Sequence, residues 1–366
     1  MPTAERQAYV NRIATAVPPH DVHRAFIGYA ERQLAGNPRV QRIFQRMVRN
    51  CGIEHRYSYF EPPDEAAGRA PEGAIDVAGF FVPGRFPDTA ERMGFFEQHS
   101  SALAARAVER LELGGDSRRI SHLVVTCCTG LSSPGLDLEL IDRCGLRSSV
   151  ERSTLGFMGC YAAVNALKLA RHIVRSERDA RVLVVSLELC TVHLKDTTNL
   201  EEVLTFLLWG DGAAACLVSA DPVGLRLDGF KAVLAEDTRD LMTWRIRNSG
   251  FDMLLSGRVP SAIQETLERH ASSILDGAPT ESVELWAVHP GGRTVLDAVE
   301  RGLGLRPEAL SASRETLRRY GNMSSATILF VLERLMRSAS PDAAGCGMSF
   351  GPGLVAETML FRRVAD

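Results

Sequence analysis

Lysine is nearly absent from this chain. Of 42 basic side chains only Lys168, Lys195 and Lys231 are lysine. A GC-rich genome accounts for that bias. The formal charge of -3 gives no field for a polyanion, so nucleic acid is not an expected partner. Long apolar runs are missing too, and no stretch reaches the length that spans a bilayer. The first residues lack the basic, apolar and small-residue succession of a secretory signal. The eight cysteines form no C-x-x-C pair, which argues against a zinc ribbon or a disulfide framework and points to a reducing cytoplasm. No metal or redox-cofactor motif is present.

What the chain does contain is alternation of apolar strand-like runs with helical segments. Residues 1–20 read as weakly structured and 21–50 as helical, with Arg42, Arg46 and Arg49 sharing a face. Residues 62–87 are proline-rich and read as a long loop. Asp88 and Glu91 form a capping-box start for a helix expected to reach about Leu113. Buried strands are predicted at 120–127, 181–188 and 213–218. Helices are predicted at 136–144, 161–175, 196–210 and 260–276. Further strands are expected around 225–235 and at 354–361. This order implies an α/β layered fold, divided near Asp221-Pro-Val-Gly224 into an N-terminal half (1–222) and a C-terminal half (223–366).

Two stretches follow one plan. One strand-like run ends at Cys127 and is followed by Cys160 in G-C-Y-A-A-V-N-A-L. Another ends at His289 and is followed by Asn322 in G-N-M-S-S-A-T-I-L. The interval from Cys127 to Cys160 equals that from His289 to Asn322. Pseudo-symmetric packing of the halves would bring Cys160, His289 and Asn322 together as a nucleophile, its base and an anion-stabilising donor. Cys160 at a helix N-terminus is expected to favour thiolate. The competing reading of Asn322 is a plain helix cap, and that of an isolated histidine is a structural or solvated residue. Cys51, Cys127, Cys144, Cys190, Cys216 and Cys346 read as core thiols.

With L-G-F-M-G-C-Y-A-A (155–163), L-W-G-D-G-A-A-A (208–215), H-P-G-G (289–292), G-N-M-S-S-A (321–326) and F-G-P-G (350–353), the whole chain resembles a type III polyketide synthase. That is the chalcone synthase-like branch of the thiolase-fold condensing enzymes. The resemblance implies two pseudo-symmetric halves forming an αβαβα core and an acyltransferase working as a homodimer. It implies coenzyme A thioesters as substrates and no separate cofactor or metal. Cys160 would carry the acyl group from an acyl-CoA starter. His289 and Asn322 would serve malonyl-CoA decarboxylation and hold the enolate and tetrahedral oxyanions.

Other roles follow from the same resemblance. Trp209 takes the position of an aromatic gatekeeper, usually Phe. Cys128, Thr129, His193 and Met253 line the cavity. Gly351, Pro352 and Gly353 shape the cyclisation pocket. Arg46 meets coenzyme A phosphates, with Arg42 and Arg49 substituting for basic positions occupied here by Ile43 and Asn50. A solvated helix face is the competing reading of these arginines. Ser133 replaces a Met that many relatives project into the partner subunit. Small or flexible residues at Ser133, Cys128 and Met253 suggest an acyl tunnel, a fatty acyl-CoA starter and alkylpyrone or alkylresorcinol products.

The residues admit four alternative readings. Gly347-Met-Ser349-Phe-Gly351 fits G-x-S-x-G, but Pro-Gly and a strand follow and no histidine lies downstream, so a serine hydrolase is rejected. A single-step ketoacyl carrier-protein synthase III shares the Cys/His/Asn set. It is disfavoured by the F-G-P-G loop and the chain length. A short or aromatic starter is the third. An inactive scaffold is weakened by the presence of all three reactive residues.

Overall fold

The computed structural model describes residues 6–63 and 74–365. In chain order the elements begin with β1 (Tyr9–Ala16), β2 (His20–Asp21), α1 (His23–Gln33), α2 (Pro38–Asn50), β3 (Tyr57–Ser58) and α3 (Thr89–Glu109). Next come β4 (His122–Cys127), α4 (Leu136–Arg143), β5 (Glu151–Gly156), α5 (Ala162–Ser176), β6 (Val182–Leu189), α6 (Leu200–Leu208) and β7 (Asp211–Ser219). The C-terminal part holds β8 (Gly224–Leu234), β9 (Met242–Arg247), β10 (Gly250–Leu255), α7 (Val259–Ile274), β11 (Leu285–Val288), α8 (Arg293–Leu303), α9 (Ser311–Tyr320), α10 (Thr327–Ser338), β12 (Ala344–Gly351) and β13 (Val355–Val364).

Nine strands form one sheet in the order β11-β12-β13-β8-β1-β7-β6-β4-β5. Strand alternation sorts its side chains into layers. On β4, Leu123 and Val125 pack with Phe96, Leu103 and Ala107 of α3. Val124 between them points the other way, toward Ala163 and Leu167 of α5 and Ile328 and Leu332 of α10. Met359 and Phe361 of β13 close on the far side of that helix pair. Beyond them Trp286 and Val288 of β11 pack with Ile263 and Leu267 of α7 and Leu296 of α8. The result is the mixed α/β, thiolase-like layering that the motifs imply. The α5 and α10 helices are equivalently placed, and each follows a short 3-10 turn (Gly159–Tyr161 and Ser324–Ala326).

Several segments differ from the sequence expectations. Residues 9–16, expected to be weakly structured, form β1 in the middle of the sheet, antiparallel to β7 and β8. Polar Asn11 and Arg12 disguise it. The Asn11 amide donates to the Asp221 carbonyl at 2.8 Å, so its polarity is satisfied within the fold. The helical stretch expected over 21–50 is made of two helices, α1 and α2. Asn37 caps the second by accepting from Val40 N, and Pro38 starts it. The capping box of α3 forms as expected, but the helix stops at Glu109, and Gly114 with Gly115 opens a 3-10 turn beyond it. α6 starts at Leu200, capped by Asn199.

Two features were not anticipated. β5 is a polar edge strand with no apolar run to betray it. The β9–β10 hairpin carries Trp244, Phe251 and Met253. Of the proline-rich stretch, residues 64–73 lie outside the described residues.

Candidate active site

Cys160 sits in the turn that leads into α5, and glycines decide how closely its neighbours approach. Gly159 has φ +77, and a Cβ there would lie 2.4 Å from the Pro352 ring. A Cβ on Gly351 would lie 2.5 Å from the Tyr161 ring. The Gly351-Pro352-Gly353 loop is therefore pressed onto the Cys160 turn, and the Tyr161 hydroxyl donates to the Pro352 carbonyl at 3.3 Å. His289 follows β11 and is held by its own N–H, which donates to the Met348 carbonyl at 2.8 Å. Asn322 is reached from α9 through Gly321, whose φ is +68.

Cys160, His289 and Asn322 line one small cavity of about 20 Å3, with Trp209, Met253 and Phe350 also on its wall. An adjoining cavity of about 10 Å3 takes in Cys128, Thr129, Cys160, Trp209, Met253 and Pro352. Burial raises the Cys160 thiol to about 12, against smaller lowering by Ser324 and Asn322. Burial lowers the His289 imidazole to about 3. Desolvation thus opposes the thiolate that the helix N-terminus favours. Neither ring nitrogen of His289 has a hydrogen-bond partner among the described residues.

Asn322 combines its two readings. Its Oδ1 accepts from Ser324 N at 2.9 Å, as a cap does. Its Nδ2 donates to the Gly291 carbonyl at 3.2 Å, which fixes the amide plane and leaves a second N–H for the cavity.

The other expected residues divide. Trp209 and Met253 stand on both cavity walls. Cys128 and Thr129 line the second cavity but are tied to a buried carboxylate, Glu188. This residue accepts from Cys128 N at 3.0 Å, Thr129 Oγ1 at 2.9 Å and Ser325 Oγ at 2.5 Å. Burial raises its carboxyl above the ordinary range, against the lowering from those donors. His193 stands behind the wall and not on it. Its Nε2 donates to the Thr129 carbonyl at 2.7 Å, its Nδ1 accepts from Phe251 N at 3.1 Å, and its ring stacks on Phe251. Both nitrogens are used, so the ring is a brace between the Thr129 turn and β10. Ser133 is on the surface and borders neither cavity.

Arg42, Arg46 and Arg49 are exposed along α2. Their neighbours Met47 and Asn50 border an outer recess of about 330 Å3 that also takes in Gly291, Gly292, Arg293 and Val295. Gly291, Val295 and Leu255 line both this recess and the Cys160 cavity, so the two share a wall. Sequence reasoning missed three residues here. Glu188 is a charge inside an otherwise apolar strand, which was a usable signal. Arg293 directly follows the Gly-Gly turn. Ser324, whose Oγ lies 3.8 Å from Cys160 Sγ, had no separate signal within its motif.

A thiol, an imidazole and a carboxamide meeting at the ends of two equivalent strand-turn-helix units define a thiolase-fold condensing enzyme. The chain belongs to the chalcone and stilbene synthase family: that family's N-terminal domain matches residues 2–222 and its C-terminal domain residues 231–365. It is a type III polyketide synthase and an acyltransferase.

Bisdemethoxycurcumin synthase of Oryza sativa subsp. japonica is 34% identical over 87% of this chain and 82% of its own. Alpha-pyrone synthesis polyketide synthase-like Pks18 of Mycobacterium tuberculosis is 31% identical over 97% of this chain and 91% of its own. Among solved structures, PKS-I from the brown alga Ectocarpus siliculosus superimposes with a TM-score of 0.88 at 29% identity, covering 100% of both chains. CsyB complexed with CoA-SH gives 0.83 at 25% identity, covering 97% of this chain and 100% of that one. Among the described residues no helix is long and apolar enough to cross a membrane.

Proposed function

We propose that the chain loads a fatty acyl-CoA starter onto Cys160, extends it iteratively with malonyl-CoA and cyclises the product to an alkylpyrone or alkylresorcinol. The observation that carries this reading is the convergence of Cys160, His289 and Asn322 in one buried cavity that shares a wall with the outer recess. The name of the mycobacterial relative supports a pyrone, and the CoA-bound relative supports coenzyme A thioesters as substrates.

Neither charge of a thiolate–imidazolium pair is stable alone in this cavity. A proton passing from Cys160 to His289 creates both together, and their attraction offsets desolvation. The thiolate attacks the starter carbonyl, the oxyanion takes the free Asn322 N–H, and the coenzyme A thiolate leaves with the proton from His289. Malonyl-CoA then loses CO2. The electron pair of the broken C–C bond passes into the thioester as an enolate, whose oxygen is held by Asn322 Nδ2 and His289 Nε2. Each such donor contributes about 3 kcal/mol. The enolate carbon attacks the Cys160 thioester and expels the Cys160 thiolate, which takes the extended chain back from coenzyme A for the next round.

Arg293 lines the outer recess, and Arg42, Arg46 and Arg49 lie exposed on the helix whose end borders it, which suits coenzyme A phosphates. The exposed edge strand β5 supports a homodimer. Eight free cysteines fit the reducing cytoplasm. A second reading, a short or aromatic starter, is favoured by the small inner cavities and by Trp209 on their walls.

The test is a mass-spectrometric product survey with malonyl-CoA and a panel of acyl-CoA starters, beside Cys160→Ala. Pyrone or resorcinol masses from the wild type alone support the proposal. Turnover only with a carrier-protein thioester would replace it with a single-step synthase.

A further inference from the structure

His122, Glu151 and Glu177 meet at the end of the sheet remote from Cys160. His122 opens β4, Glu151 opens β5 beside it in parallel register, and Glu177 follows the last residue of α5. From His122 the strand β4 runs about 17 Å before it reaches Cys127. Among the described residues this is the only group of three or more His, Cys, Asp or Glu side chains whose ligand atoms all lie within 4.8 Å of one another.

The His122 side chain is only 8% exposed, whereas the carboxylates of Glu151 and Glu177 stand in water. Its Nε2 faces both, 3.6 Å from Glu151 Oε2 and 3.4 Å from Glu177 Oε1. Its Nδ1 lies 2.8 Å from Ser121 Oγ. That hydroxyl accepts from Arg181 N at 2.9 Å and donates to the Arg181 carbonyl at 3.2 Å. Its one proton is committed, so Nδ1–H is the donor to Oγ. The Nε2 lone pair of the neutral ring is left aimed at two negative groups. Among the described residues no Lys or Arg pairs with either carboxylate. A positive centre between the three atoms removes the conflict.

The spacing fits a metal ion better than a proton. A charge-assisted N–H···O bond spans about 2.7–2.9 Å, shorter than either contact. Zinc bonds of about 2.0–2.2 Å to nitrogen and oxygen build a tetrahedron with edges of about 3.3–3.6 Å. Both separations from Nε2 fall in that range. Ser121 supplies the second hydrogen bond that fixes the tautomer of a metal-bound histidine.

We propose that His122 Nε2, Glu151 and Glu177 form a zinc-class divalent cation site, with water as the fourth ligand. The ion clasps the start of the edge strand β5 to β4 and to the C-terminal end of α5, whose other end carries the Cys160 turn. Its role is structural, and it is independent of the starter that the enzyme takes.

The test uses the full-length, chelator-treated protein, titrated with Co2+ and with Zn2+. One ion per chain is expected. Bound Co2+ should show visible ligand-field bands without sulfur-to-cobalt charge transfer, which separates this cluster from the eight cysteines. His122→Gln and Glu177→Gln should each weaken binding by about a hundredfold, and Ser121→Ala by about tenfold. Cys160→Ser should leave it unchanged. Zn2+ should raise the melting temperature of the wild type and not that of Glu177→Gln. Should His122→Gln fail to fold, Glu177→Gln decides, since its side chain is half exposed. No bound ion refutes the site. So does binding that Glu177→Gln retains in full, or a thiolate charge-transfer band, since either places the ion elsewhere.

Discussion

Trp209 and Asn322 are paired backbone to backbone. Gly210 N donates to the Asn322 carbonyl at 3.0 Å, and Asn322 N donates to the Leu208 carbonyl at 2.8 Å, in a parallel bridge. The partition of the cavity and the carboxamide donor therefore belong to one strap, although they are far apart in sequence. Arg56 holds that strap through the Trp209 carbonyl, and its Nε donates to His23 Nδ1 at 2.9 Å.

Arg56→Met is expected to destabilise the fold by about 3 kcal/mol or more, because buried carbonyls lose their donors. It should lower malonyl-CoA decarboxylation more than alkylation of Cys160 by iodoacetamide. Urea unfolding and the two rates check this. Equal loss of both rates would mean that Arg56 supports the fold generally and not the Asn322 strap.

Asn322→Asp replaces the N–H donor with an oxygen. Malonyl-CoA decarboxylation is expected to fall by about 10²–10³ in kcat. Release of labelled CO2 measures it, and an unchanged rate would remove Asn322 from enolate stabilisation.

Gly159→Ala places a Cβ 2.4 Å from the Pro352 ring at a φ of +77. A cost of about 2 kcal/mol or more is expected. Condensation should fall together with stability, because the Cys160 turn and the Gly-Pro-Gly loop must separate. Thermal melting and product formation, measured on one preparation, check both.

His23 and His193 are each lowered to about 3, mainly by burial. The fold holds them neutral, while the unfolded chain protonates them below about 6.5. Stability is present above that pH and is lost as the pH falls toward 3. Between pH 6 and pH 5 the two together remove about 2 kcal/mol, seen as a falling urea midpoint. His289, also lowered to about 3 by burial, adds a similar share to the measured slope, so His193→Gln should remove roughly a third of it.

The parts of the fold that the sequence showed are those where one physical signal dominates. β4, β6 and β7 are continuous apolar runs because both faces are covered, and the α3 capping box is local chemistry. β1 and β5 were hidden for opposite reasons. β1 carries polar groups that are satisfied only by distant carbonyls, and β5 is an edge whose side chains stay in water. In the site, Cys160, His289 and Asn322 stood out through repeat spacing and motif. His193 did not stand out as a brace, because its roles depend on Thr129 and Phe251 reaching it from other elements.

Sequence alone determined the layered α/β class, the pairing of the two strand-turn-helix units and the reactive trio, since each rests on local pattern and residue chemistry. Only the tertiary structure decided the burial of Cys160 and His289, the double use of the Asn322 amide and the buried Glu188 network. Those depend on which atoms exclude water from which others, and in this fold the excluding atoms come from α1, α6, the β9–β10 hairpin and the Gly-Pro-Gly loop, segments that no local pattern relates.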